Sequence, residues 1–129
     1  MSIDQALAAV AVFLCAARVF AAEPNCQLEP ECSRLSIEGR LAHNARKDFA
    51  TAAERFQAAY NLVPDPRLLM LQGRSLYKQG NIARALELYN RALSHLELPE
   101  DQEKIQHFIA EAQASLPVPT LPLAASPAS

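Results

Sequence analysis

Apolar residues recur at three- and four-residue steps along most of this chain. Phe49, Ala52, Ala53, Phe56, Ala59 and Tyr60 form a clear early run, and that spacing puts side chains on one face of a helix. The run stops at Val63-Pro64-Asp65-Pro66. Asp65 suits an N-cap and Pro66 suits the first helical turn, where its missing N–H would have no partner anyway. A helix is therefore expected from Pro66 to the turn Lys78-Gln79-Gly80-Asn81, where Gly80 can take the left-handed conformation that ends a helix. The next helix carries Ala85, Tyr89 and Ala92, and after Pro99 a further stripe follows as Ile105, Phe108, Ile109, Ala112 and Leu116. Glu100, Asp101 and Glu103 stand near the positive end of that last helix. Earlier in the chain, Ser33 offers a cap for Arg34 to about Arg46, where Leu35, Ile37, Leu41 and Ala42 give only a partial stripe. The pattern predicts five helices and an all-α fold.

Two of these helices share an internal period. Ala52, Phe56 and Ala59 return 33 residues later as Ala85, Tyr89 and Ala92. The stretch Pro66 to Pro99 places Leu69, Gly73, Leu76 with Tyr77, Ala85, Tyr89 and Ala92 where the helix-turn-helix unit of the tetratricopeptide repeat family has its signature residues. The chain resembles that family from about Ser33 to Pro99. The resemblance implies two antiparallel units, 33–65 and 66–98, closed by a capping helix over 99–116, in a short right-handed α-solenoid. Alanines at 52 and 85 would let paired helices approach while Phe56 and Tyr89 fill the space beside them. Tyr60, Tyr77 and Tyr89 read as core residues with hydroxyls reaching water. Two departures stand out. Gly39 and Arg40 occupy the neighbourhood of the family's Leu-Gly pair with no aromatic at the expected step, and Gln72 replaces the usual Leu before Gly73.

The ends differ in character from this middle. Residues 1–22 hold an uncharged apolar run, Ala6 to Ala17, followed by Ala21 and Ala22 ahead of Glu-Pro-Asn-Cys, and read as an export signal. Asp4 and Arg18 are atypical for one, so an uncleaved membrane anchor and an amphipathic cytosolic helix stay open as alternatives. Residues 23–32 hold Pro24 and Pro30 and read as a helix-free linker. Removal of the signal would take Cys15 and leave Cys26 and Cys32, either as a small disulfide loop, as free thiols or, less in keeping with the spacing, as metal ligands. Residues 117–129 hold four prolines and no charge and read as a disordered tail. A periplasmic or secreted bacterial protein is the expectation, with anchoring at the inner membrane as the alternative.

Charge and chemistry narrow the function. A net charge of −2 excludes the strong basic excess of a general nucleic-acid binder. The charge is unevenly spread: Arg34 to Arg91 holds ten basic residues against five acidic ones, between acidic flanks. Neither a phosphate loop nor HExxH nor GxSxG occurs, and His43, His95 and His107 lie on separate predicted helices, so no catalytic residue, metal or cofactor is expected. The family resemblance implies instead a concave groove, lined by the first helix of each unit, that takes a peptide or helix of another protein. On the first helix of the second unit Arg67, Arg74 and Lys78 fall at steps of seven and four, bordered by Met70, Leu71 and Tyr77, and Asn44 faces the groove from the first unit. The expected partner is an acidic or helical protein segment held by arginine, against the plainer reading of a solvated helix face. Nucleic acid is not expected, membrane contact requires an uncleaved N-terminus, and pairing of two chains through unfinished repeat ends is a rival role. The family's carboxylate-clamp activity does not carry over, because Leu41 and Leu71 stand near the places where the clamp has asparagine.

Overall fold

The computed structural model describes residues 23–117, so the apolar N-terminal segment and nearly all of the Pro-rich tail lie outside it. Among the described residues there are five α-helices and no strand: α1 (Pro30–Asn44), α2 (Phe49–Leu62), α3 (Pro66–Lys78), α4 (Ile82–Leu93) and α5 (Pro99–Ala114), preceded by a single 3₁₀ turn at Cys26–Leu28. Connections of three to five residues fold each helix back on the one before it. Packing follows chain order, and α3 also meets α5. This is the layout of a short helical-repeat solenoid.

Helices α2, α3 and α4 each start at a side chain that satisfies a free N–H group, whereas α5 follows Leu98 with no side-chain cap. Asp48, Asp65 and Asn81 accept from the backbone of Thr51, Arg67 and Arg84. The turn after α3 closes as expected: Gly80 has φ 88°, its N–H donates to the Tyr77 carbonyl, and the Asn81 N–H reaches back to Leu76. The turn after α1 places a left-handed residue at the corresponding position, but that residue is Lys47, with φ 55°.

The reading of residues 23–32 as a helix-free linker needs correction. Pro30 opens α1 and does not prevent it, because its ring suits the first helical turn. Glu29, and not Ser33, supplies the cap by accepting from the Cys32 N–H. Cys26 and Cys32 are buried and joined as a disulfide, with Cα atoms 5.3 Å apart. The segment is also tied to the second unit: the Cys26 N–H donates to buried Asp65 at 3.0 Å, and Glu23 accepts from the Glu97 N–H.

Two apolar clusters form the core. One gathers Phe56, Ala52, Ala59, Leu68 and the disulfide, the other Tyr89, Leu69, Leu88, Ala92 and Ile105, and Tyr60 packs against both. A glycine on the first helix of each unit makes these clusters possible. A Cβ on Gly39 would sit 2.7 Å from the Phe56 ring, and one on Gly73 would sit 2.7 Å from the Tyr89 ring. The first unit is thus packed as closely as the second, although its first helix has only a partial apolar stripe, and the approach at Gly73 holds with Gln72 in place of the usual Leu. Tyr89 departs from expectation in one respect: its hydroxyl is buried with no hydrogen-bond partner among the described residues, and burial pushes the phenol up to about 12. Helix α5 covers the second cluster through Ile105 and Ala112, with Phe108 and Ile109 half-buried. Leu116 lies beyond the end of the helix and stays exposed.

Replacing Gly73 with alanine tests the close approach. Alanine improves helix propensity by roughly 0.5–1 kcal/mol, whereas overpacking a filled core costs about 1–3 kcal/mol. The clash should win, because the nearest atoms belong to a fully buried ring and the next is the Ala85 carbonyl. Urea unfolding should show Gly73→Ala destabilised by about 1 kcal/mol or more; a stabilised variant would contradict the packing.

Candidate binding groove

The inner faces of α1 and α3 enclose an open cavity of about 540 Å³. Its cationic lining comes from Arg40 on α1, Lys47 in the turn, and Arg74 and Lys78 on α3. Phe49, Phe56 and Leu71 give it an apolar floor, and His43 and Asn44 complete the wall. No carboxylate is among the lining residues. Among the described residues none forms an ion pair with Arg40, Lys47 or Lys78.

The repeat period explains this collection. Gly39-Arg40 and Gly73-Arg74 are the same dipeptide 34 residues apart. A helix turns by about 100° per residue, so a glycine facing the partner helix puts the following arginine round towards the concave side. His43 stands four residues after Gly39, as Tyr77 stands four after Gly73, and so takes the place of the aromatic that the first unit lacks. Its ring meets Phe49 edge-on with centroids 5.0 Å apart. Its Nδ1 lies 2.9 Å from the Ser75 hydroxyl, which links α1 to α3. Burial, and then the charges of Arg74, Lys78 and Lys47, hold the His43 pKa below its ordinary value. Ser75 is fully buried, and no carboxylate orients the imidazole, so the pair does not form a nucleophile and base.

The residues expected on the groove divide. Asn44, Arg74 and Lys78 line the cavity. Arg67 does not: it forms a two-pronged ion pair with Asp65 at 2.9 Å for each contact, and that hydrogen-bonded pairing raises its already high pKa. Met70 faces inward and is buried in the second cluster, so it is not available as a surface contact. Tyr77 turns towards α5, its hydroxyl 3.0 Å from that of Ser115. Arg74 is shared between two neighbours. It pairs with Glu111 of α5, and its guanidinium lies over the Phe108 and Tyr77 rings at 4.9 and 5.3 Å.

Arg40, His43 and Lys47 are groove residues that the sequence pattern does not single out, because α1 carries only a partial apolar stripe from which to fix its faces. Setting the first unit against the second at 33 or 34 residues brings Arg40 onto Arg74, His43 onto Tyr77 and Lys47 onto Gly80. Among the described residues there is no cluster of three metal-ligating side chains, and no helix is long and apolar enough to cross a membrane.

Residues 66–97, which hold α3, the Gly80 turn and α4, match the family model described as tetratricopeptide repeat. No curated protein and no solved structure matches the chain. Such repeats are in general non-catalytic scaffolds for protein–protein interaction. Residues 66–97 form a tetratricopeptide repeat, and among the described residues the other helices pack in the same pairwise way.

Proposed function

We propose that this chain is an adaptor that holds an acidic segment of another protein in the groove between α1 and α3. The observation that carries this reading is the lining itself: four cations and a histidine, no carboxylate, and an apolar floor. Three of these cations, Arg40, Lys47 and Lys78, have no ion pair among the described residues, and such cations around an apolar surface favour an acidic peptide that also buries an apolar side chain. Lys47 adds support. A left-handed conformation costs a non-glycine residue about 1–2 kcal/mol, and Lys47 adopts it where the second unit has Gly80. Backbone strain of this kind is characteristic of functional positions.

The adaptor is proposed to act outside the cytoplasm, in a bacterial periplasm or as a secreted protein. Two features support this: the signal-like residues 1–22 and the pairing of Cys26 with Cys32, which suits an oxidising compartment. The natural chain should then begin at Ala22 or Glu23 and take no alkylating label at cysteine until reduced. An intact Met1 with thiols that label at once would contradict export.

The groove reading is tested by capture of a fluorescein-labelled, aspartate-rich peptide. Lys47→Glu combined with Lys78→Glu should abolish binding while the helical circular-dichroism signal stays. Lys47→Gly should weaken binding yet stabilise the fold by about 1 kcal/mol, because it relieves the left-handed strain. Undiminished binding by the double charge reversal would sink the assignment.

A further inference from the structure

We propose that His43 couples ligand capture to pH, so that the groove grips an acidic segment more tightly as pH falls. The inference rests on the groove reading above and deepens it by naming a contact residue and its regulation.

His43 is placed to report what occupies the cavity. It forms part of the wall, and the charged groups around it can be named element by element. Arg40 lies on its own helix, Lys47 in the following turn, and Arg74 and Lys78 on α3. Glu38 and Asp48 are the nearest acids in sequence, each five residues away, but Glu38 on α1 is engaged with Arg34 and Arg55, and Asp48 with the Thr51 N–H as the cap of α2. Glu111 on α5 is engaged with Arg74. The empty groove therefore presents His43 with cations and with no free carboxylate in the lining. A proton on the ring would add like charge to like charge in a half-buried place, which is why the neutral ring is favoured.

An acidic ligand reverses this balance. Its carboxylates would neutralise Lys47, Lys78 and Arg40 and give the imidazolium a counter-charge. The hydrogen bond to Ser75 does not resist the change, since a hydroxyl can rotate from donor to acceptor when Nδ1 becomes N–H. The other ring nitrogen, Nε2, has no hydrogen-bond partner among the described residues and is left to meet the ligand. Ligand binding thus raises the His43 pKa, and by linkage the proton raises ligand affinity by the same factor. The sign follows directly. Above the pKa of the liganded state the ring is neutral whether or not ligand is present, and pH has no effect. As pH falls through that pKa the complex takes up a proton before the empty groove does, and affinity climbs until the empty groove protonates too. Each pKa unit of ligand-induced shift is worth about tenfold in affinity.

The experiment uses the full chain and the aspartate-rich fluorescein peptide, whose carboxyls stay ionised above about pH 5, at one fixed ionic strength. Anisotropy should show binding tightening by about tenfold between about pH 7.5 and about pH 5.5. His43→Gln keeps a polar group opposite Ser75 and should flatten the curve to less than about twofold. In the unmodified protein, proton NMR should show the His43 ring titrating at higher pH when peptide is added. Binding that ignores pH, an equal slope in His43→Gln, or a His43 pKa unmoved by peptide would overturn the proposal while leaving the groove in place. Absence of peptide binding at every pH, or binding insensitive to Lys47→Glu with Lys78→Glu, would overturn the groove itself and this inference with it.

Discussion

The whole arrangement depends on a glycine facing an aromatic ring across each helix pair. Gly39 meets Phe56 and Gly73 meets Tyr89, each so closely that a single methyl group would fall 2.7 Å from ring carbon. Interiors packed to this density do not yield easily, so the helix spacing in each unit is set at these two points. The arginine after each glycine then points to the concave side, and the histidine or tyrosine four residues on lies one turn further along the same helix. Groove and core are two faces of one constraint.

A second constraint sits at the base of the molecule. Asp65 is buried, caps α3, accepts from the Cys26 N–H and receives two contacts from the Arg67 guanidinium. A buried carboxylate is tolerable when it is paired and hydrogen-bonded in this way. The disulfide segment is thereby held against the start of the second unit, and Arg67 is committed to structure. At the far end, Arg74 with Glu111 and Tyr77 with Ser115 hold α5 onto α3. Among the described residues Arg40, Lys47 and Lys78 have no such ties and gather around one cavity, and with no carboxylate in its lining they give the groove its sign.

Helix number, order and the repeat were legible because they rest on local patterns: apolar steps of three and four, the Asp65-Pro66 start, and the Gly80 turn. The start of the first unit was less legible. Pro24, Pro30 and two cysteines look like a linker until the cysteines are seen to be buried against Phe56, Ala59 and Leu68, which is a long-range fact. The same limit applies to charge. A stripe of Arg67, Arg74 and Lys78 can be read from spacing, but that Asp65 claims the first and Glu111 shares the second depends on tertiary neighbours. Met70 shows how narrow the margin is, since its neighbour Leu71 lines the cavity while Met70 is buried. The cations of α1 were hidden for a different reason: their helix has the weakest apolar pattern, and only superposition on the second unit reveals their register.

The central claim is that ligand enters between α1 and α3. Amide chemical-shift mapping during titration with the aspartate-rich peptide tests it most directly. The account predicts shifts concentrated from Arg40 to Phe49 and from Leu71 to Lys78, with Arg67 and the outer faces of α2 and α4 unmoved. Shifts confined to α2 and α4, or centred on Arg67 and Glu97, would contradict it.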